Sequence, residues 1–183
     1  MDNQRSRKPA GPVGRFLEED HRRLDALLQS AVTNPDVVAP EAYDQFRAGL
    51  LRHIGMEEKV VLPAIQRMRG GTPFPDAAKL RLDHGALAAL LMPAPTSAIL
   101  RALRTILSAH NRLEEGPDGL YAAGDEMTPA ETDLLLVSLR AVPPVTVTAP
   151  SDRPAVMKTL RAALQRAGYD LRDYEGEGST APR

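Results

Sequence analysis

The chain of 183 residues fits one domain with an appendage and is long enough to bury a sizeable core. Its 23 Lys and Arg nearly balance 24 Asp and Glu, so the net charge of -1 does not favour a nucleic-acid partner. The lack of cysteine excludes disulfides and thiolate metal sites, so any bound metal would be held by nitrogen and oxygen. No segment has the apolar length of a signal peptide or a membrane span, and we expect a soluble, cytoplasmic protein with no membrane partner.

After a predicted mobile tail over residues 1–13, apolar residues recur at helical spacing in four successive segments. Each segment carries one of the four histidines on its apolar side. The predicted helices cover 15–31, about 40–69, about 75–92 and about 97–115. Pro63 lies inside the second of these helices and removes a backbone donor, so we expect a kink just beyond Glu57.

The remainder of the chain predicts two further helices. A capping signature at residues 128–131 predicts a helix over 129–141. Residues 142–183 are expected to form an extended linker, a short helix and a disordered tail. The sequence therefore predicts an all-α protein with a helical domain over 14–141. The apolar face of the last helix either docks on that domain or binds a partner.

The two halves of the predicted domain share an internal repeat. Residues 20–28 and 83–91 both read D-H-x-x-L-x-A-L-L, and residues 53–58 and 110–115 both read H-x-x-x-E-E. Two similar helical hairpins are the simplest explanation of this repeat. Together they predict a four-helix bundle, whose core is a usual place for a metal site built from facing helices.

The repeated motif places a histidine and a glutamate one helical turn apart on the buried face. His53 pairs in this way with Glu57, and His110 with Glu114, because residues four apart share a helix face. A buried carboxylate without a partner is costly, and that cost falls if the carboxylate and the imidazole bind a metal ion. With the histidines of the first and third helices, the bundle offers four nitrogens and two carboxylates to two ions about 3.5–4 Å apart. This donor set suits iron, manganese or zinc.

Other residues near these motifs have simpler interpretations. Glu58 and Glu115 lie about 100° round the helix from the apolar face and are by default solvated, although either could be an extra ligand. Asp20 and Asp83 each precede a histidine and are expected at the surface or as support for histidines on neighbouring helices. Three aromatic residues are interpreted as core or rim, with a tyrosine near the metal able to hydrogen-bond a bound oxygen species: Tyr43, Phe46 and Tyr121.

These motifs resemble those of the haemerythrin-like (HHE cation-binding) domains. The resemblance extends over residues 14–124 and rests on the order of the motifs more than on any single one. It implies an antiparallel, up-down-up-down four-helix bundle with a non-haem centre of two iron ions, which an oxo bridge can join. The metal ligands that the resemblance implies are His21, His53, Glu57, His84, His110 and Glu114.

Two departures from the oxygen-carrying haemerythrins bear on function. Their third helix has H-x-x-x-H, whereas Leu80 and Ala88 stand four residues before and after His84 here. Their fourth helix has H-x-x-x-x-D, whereas this helix has Glu114 at plus four and Glu115 at plus five. Four histidines cannot provide five-histidine coordination, so a more symmetric site is expected and reversible oxygen carriage is not favoured.

The first functional hypothesis is a di-iron protein that binds or senses dioxygen, peroxide, nitric oxide or iron itself. One alternative is a regulatory or scaffolding helical module whose C-terminal tail binds a protein partner, or which forms a homodimer. Another is a weak peroxidase or oxidase, which ranks lower because no substrate pocket can be inferred from the sequence. A metal-binding or sensing protein is therefore favoured over a dedicated enzyme.

Overall fold

The computed structural model describes residues 9–32 and 37–175, and all of the regular elements in those ranges are helical. The predicted all-α class is confirmed. Residues 1–8 of the tail predicted over 1–13, and residues 176–183 of the tail predicted over 175–183, lie outside the described residues. Within the described ranges, the helices are too short or too polar to cross a bilayer.

Four helices carry the histidines, and further helical elements follow or interrupt these four. The α-helices of the described ranges are α1 (Pro12–Ala31), α2 (Pro40–Met56), α3 (Leu62–Met68), α4 (Ala77–Leu90), α5 (Ser97–Glu115), α6 (Leu120–Gly124), α7 (Pro129–Ala141) and α8 (Pro154–Ala167). A π-helical turn (Glu57–Val61) joins α2 to α3, and a 3-10 turn (Leu171–Tyr174) follows α8. The helix predicted over 129–141 is confirmed, together with its capping box.

The π-helical turn shows how the second predicted helix accommodates its proline. Pro63 has no N–H to donate to the carbonyl of the preceding turn. The chain inserts an extra residue just before it, and the N–H of Leu62 bonds to the carbonyl of Glu57, five residues back. Single π-helical turns inside α-helices are frequent at functional sites. The π-helical turn lies where the sequence predicts a kink, and it begins at Glu57, one of the predicted metal ligands.

Apolar side chains form two clusters along the molecule. The first, which we name the α8-side core, contains Phe46 and Leu87 and receives Leu160 and Leu164 from α8. The second, which we name the α7-side core, includes residues of α1, α3 and α4 and receives Leu135 from α7. The apolar face of α8 is therefore buried against the protein's own α4, which resolves the choice between docking and partner binding in favour of docking.

The short helix α6, which the sequence did not predict, ties the start of α1 to the end of α5. Gly119 allows the chain to turn back, because a Cβ there would collide with the backbone carbonyl of Glu114. The carboxylate of Asp125 then accepts hydrogen bonds from the backbone N–H groups of Gly11 (2.7 Å) and Val13 (2.9 Å). Since Gly11 has no side chain to cap the helix, Asp125 serves as a distant N-cap, and α1 begins at Pro12 rather than at the predicted residue 15.

The cap is testable by Asp125→Ala. We expect the free energy of unfolding to fall by about 1–2 kcal/mol, because the first N–H groups of α1 lose their acceptor. The matched control is Asp118→Ala on the exposed turn between α5 and α6, which should change stability by less than about 0.5 kcal/mol. Urea titrations of both variants make the comparison, and equal midpoints would contradict the capping role.

Candidate metal centre

The six predicted ligands come together between the two apolar cores. Helices α1, α2, α4 and α5 each supply one histidine. Glu57 lies one turn after His53, in the π-helical turn, and Glu114 lies one turn after His110, in α5. Both carboxylates are completely buried, and the exposed fraction of the histidines is 8% or less. Six ionisable side chains thus share a volume that water does not reach, which is costly unless they compensate one another's charge.

The donor atoms fall into two overlapping sets. The first donor set is His21, His53, Glu57 and Glu114, and the second donor set is Glu57, His84, His110 and Glu114. Within each set, the donor atoms lie within 4.8 Å of one another. Because both carboxylates belong to both sets, the arrangement is that of two adjacent cation positions which share their anionic ligands.

Each glutamate directs one oxygen to each donor set. In Glu57, Oε1 is 3.1 Å from Nε2 of His53, and Oε2 is 3.1 Å from Nε2 of His84. In Glu114, Oε2 is 3.5 Å from Nε2 of His21, and Oε1 is 3.0 Å from Nε2 of His110. The two carboxylates therefore span the two histidine pairs in the manner of bridging ligands.

Two buried carboxylate oxygens support the fit of a cation. Oε2 of Glu57 and Oε1 of Glu114 lie within ion-pair distance of imidazoles, yet neither takes part in a hydrogen bond. A buried acceptor without a hydrogen bond is destabilising. A cation between the histidine and carboxylate atoms of the second donor set would satisfy both oxygens, so this donor set fits a metal ion.

The aspartates that precede two of the histidines support histidines on other helices, as the sequence predicts. Asp20 on α1 lies 2.9 Å from Nδ1 of His53 on α2. Asp83 on α4 lies 3.7 Å from Nδ1 of His110 on α5. A carboxylate beside Nδ1 favours the tautomer that carries its proton there, which leaves Nε2 free to bind a metal.

The second glutamate of each H-x-x-x-E-E motif also lies beside a histidine, and its side chain stays partly exposed to solvent. Nδ1 of His84 is 2.7 Å from Oε1 of Glu58, and Nδ1 of His21 is 2.7 Å from Oε1 of Glu115. A position about 100° from the apolar face lies at the edge of the helix contact, where a side chain can meet both a neighbouring helix and solvent. His21, His53 and His84 thus each have a carboxylate within hydrogen-bond distance of Nδ1, whereas Asp83 lies 3.7 Å from Nδ1 of His110.

The carboxylates also set the protonation of the metal-free site. Burial opposes protonation of His53, but Glu57 and Asp20 outweigh it and raise the pKa of His53 to about 10. In the same way, burial is outweighed by the glutamates around His84, whose pKa rises to about 11, and by Glu114 and Asp83 around His110, whose pKa rises to about 9. His53, His84 and His110 therefore hold protons at neutral pH in the metal-free protein, and a metal ion would have to displace these protons.

Tyr121 is a core residue, as the sequence predicts, and it also reaches the site. The hydroxyl of Tyr121 donates a hydrogen bond to Oε1 of Glu57 at 2.6 Å and lies 3.0 Å from Nε2 of His21. The sequence does not show which tyrosine contacts the predicted ligands, because α6 is too short to show a helical period. Tyr43 and Phe46 pack in the α8-side core, as expected.

These features define the class of the molecule: an all-helical protein whose four histidines and two shared glutamates form a candidate two-ion metal centre. Comparison with family models gives a match to the hemerythrin HHE cation binding domain over residues 14–117. The chain belongs to this family, and the family together with the histidine–glutamate cluster indicates metal binding. Neither the curated proteins nor the solved structures contained a match.

The raised histidine pKa values predict the pH dependence of stability. In the metal-free protein, the protonated forms of His53, His84 and His110 stabilise the folded state. This stabilisation is complete below the pKa of histidine in the unfolded chain, about 6.5, and is lost as the pH rises through the folded-state pKa values of about 9 to 11. The free energy of unfolding should therefore fall between pH 7 and pH 10. In the metal-loaded protein the histidines are already neutral, so this decline should be absent.

Denaturant titrations of chelator-treated and metal-loaded protein across this pH range provide the measurement. A metal-free protein whose stability is constant from pH 7 to pH 10 would contradict the charge state assigned to the histidines.

Proposed function

We propose that this protein is a non-haem di-iron protein of the haemerythrin-like type, which binds or senses a small oxidant or iron itself. In this proposal α1, α2 with α3, α4 and α5 form an antiparallel four-helix bundle. The observation that carries the proposal is the pair of overlapping donor sets, which share both glutamates. Iron is favoured over manganese or zinc by the resemblance to haemerythrins.

The chain's own residues would hold, orient and isolate such a centre. His21 and His53 would bind one ion, His84 and His110 the other, and the two glutamates would bridge them. The carboxylates on the Nδ1 atoms fix the tautomers and orient the rings. The apolar cores on both sides exclude water. A bound iron pair would supply changes of oxidation state and an open position for a small ligand.

The size of the space beside the histidines supports a very small ligand. A cavity of about 20 Å³ lies next to His21, His53 and His110 and is otherwise lined mainly by apolar side chains, Leu87 and Leu107 among them. One water molecule needs about 10–15 Å³ by the same kind of measure, so the cavity suits a diatomic molecule or peroxide and is too small for an organic substrate. The small space thus argues against a dedicated oxidase that acts on an organic substrate.

The scaffolding alternative receives less support. It assigns partner binding to the tail after Val142, which includes the last helix with its apolar face. Leu160 and Leu164 of that face are completely buried in the α8-side core. A partner that used this face would first have to detach α8 from α4, at the cost of exposing the apolar side chains on both helices.

The di-iron proposal predicts two iron ions per chain in protein purified from iron-replete cells. Glu57→Gln should reduce the content below two, because it removes a bridging anion from both donor sets. Glu58→Gln retains every ligand but weakens the support of His84, and should lower metal affinity by about 10–100-fold. Elemental analysis and competition titration with a chelator measure these effects.

Glu126→Gln, an exposed residue outside both donor sets, is the matched control and should bind iron like the parent chain. The proposal fails if the purified protein carries no metal and its stability is unchanged by His53→Ala.

The cavity generates a separate prediction. Leu107→Phe should fill the space beside the histidines and slow the binding of nitric oxide or dioxygen by about tenfold or more, with the iron content unchanged. Leu51→Phe, a half-buried residue of α2 that does not line this cavity, is the control for a general effect of added volume. Stopped-flow mixing of the reduced protein with each gas gives the rates, and equal slowing in both variants would refute the role of the cavity.

A further inference from the structure

The hydroxyl of Tyr121 contacts all four members of the first donor set. Its oxygen is 2.6 Å from Oε1 of Glu57, 3.0 Å from Nε2 of His21, and 3.3 Å from both Nε2 of His53 and Oε2 of Glu114. These are the same atoms that would face an ion in this set. The phenol is therefore directed at the point where those four donors converge.

The spacing of these atoms is that of ligands around one ion. Donors held about 2.1 Å from a metal are about 3.0 Å apart at right angles and about 3.4 Å apart at tetrahedral angles. The separation of the proposed ligands His53 and Glu57, 3.1 Å, falls in this range. The distances from the phenol oxygen to His21, His53 and Glu114, 3.0 to 3.3 Å, also fall in this range. Its distance to Glu57 is shorter because the two atoms form a hydrogen bond. The oxygen thus occupies the place of a fifth ligand above the other four.

A bound ion would change the hydrogen bonding of the phenol. The lone pairs of the histidine nitrogens would point at the metal, whereas the Glu57 oxygen would keep a second lone pair for the hydroxyl. The contact of the phenol oxygen with all four donors favours direct coordination, with the phenol proton released to solvent as the metal binds.

The second donor set has no equivalent residue at the matching point of the repeat. Tyr121 stands seven residues after Glu114, whereas the residue seven after Glu57 is Ala64, which has no side-chain donor. Among the described contacts, the Nε2 atoms of His84 and His110 meet only each other and the shared glutamates. The two cation positions therefore differ in their oxygen donors although their histidines and glutamates match.

We propose that Tyr121 is a fifth protein ligand of the ion in the first donor set, which makes the two ions of the centre chemically inequivalent. This inference rests on the proposed di-iron function. An anionic phenolate oxygen favours the ferric state of the ion it binds. The ion of the second donor set would have fewer protein ligands.

The test is visible absorption and resonance Raman spectroscopy of the full chain loaded with iron and oxidised in air. Ferric iron bound to a phenolate gives a visible charge-transfer band, and excitation in that band enhances the ring vibrations of the bound tyrosine. We expect both signals in the parent chain. Incorporation of ring-deuterated tyrosine should shift the enhanced vibrations, which identifies them without any substitution.

The matched variants are Tyr121→Phe and Tyr43→Phe. Tyr43 is also buried but lies in the α8-side core, away from both donor sets. Tyr121→Phe should retain two iron ions and lose the visible band, and Tyr43→Phe should keep it. Two bound irons without phenolate vibrations would overturn this inference and leave the di-iron function intact. A chain that takes up no iron would overturn both.

Discussion

The burial of six ionisable side chains between two apolar cores is the constraint on which the rest of this structure depends. Charges in such a place are stable only if each has a compensating neighbour. His21, His53 and His84 meet this requirement on both ring nitrogens, with shared glutamates inside and separate carboxylates outside, and Asp83 lies 3.7 Å from the outer nitrogen of His110. The same requirement continues outward: buried Asp83, which supports His110, is itself held by Lys79 at 2.5 Å. That lysine in turn contacts the hydroxyl of Tyr169, just after α8, at 3.1 Å, so polar contacts connect the C-terminal helix to the centre.

The histidine-bearing helices and the meeting of the six candidate ligands could be predicted because long amphipathic segments have a clear period and because the motif occurs twice. The features that could not be predicted are a short helix and side-chain roles that depend on contacts between helices. A five-residue helix such as α6 has no measurable period, and nothing in the sequence around Tyr121 shows that the chain turns back toward the ligands. The roles of Glu58 and Glu115 depend on which helix stands beside each of them, and this cannot be obtained from the period of their own helices.

The carboxylates beside the Nδ1 atoms of the histidines come from both halves of the internal repeat, and some of them connect one half to the other. The aspartate of each half supports a histidine of the same half, as Asp20 does for His53. The second glutamate of each half supports a histidine of the other half, as Glu58 does for His84 and Glu115 for His21. Neither half therefore contains a complete set of supported ligands, and the orientation of each histidine pair depends on how the two halves pack. Tyr121 is the main departure from this near two-fold arrangement.

Asp125 and Tyr121 lie one turn apart at the same short helix, and this has a practical consequence. The carboxylate fastens the segment that begins α1, while the phenol reaches the ligand atoms. Residues 9–11 and Tyr121 also line one cleft of about 180 Å³. One carboxylate, that of Asp125, thus connects the start of α1 to the helix that carries the proposed ligand Tyr121. An affinity tag or fusion partner joined close to Pro12 would lie beside this linkage, in which α8 takes no part.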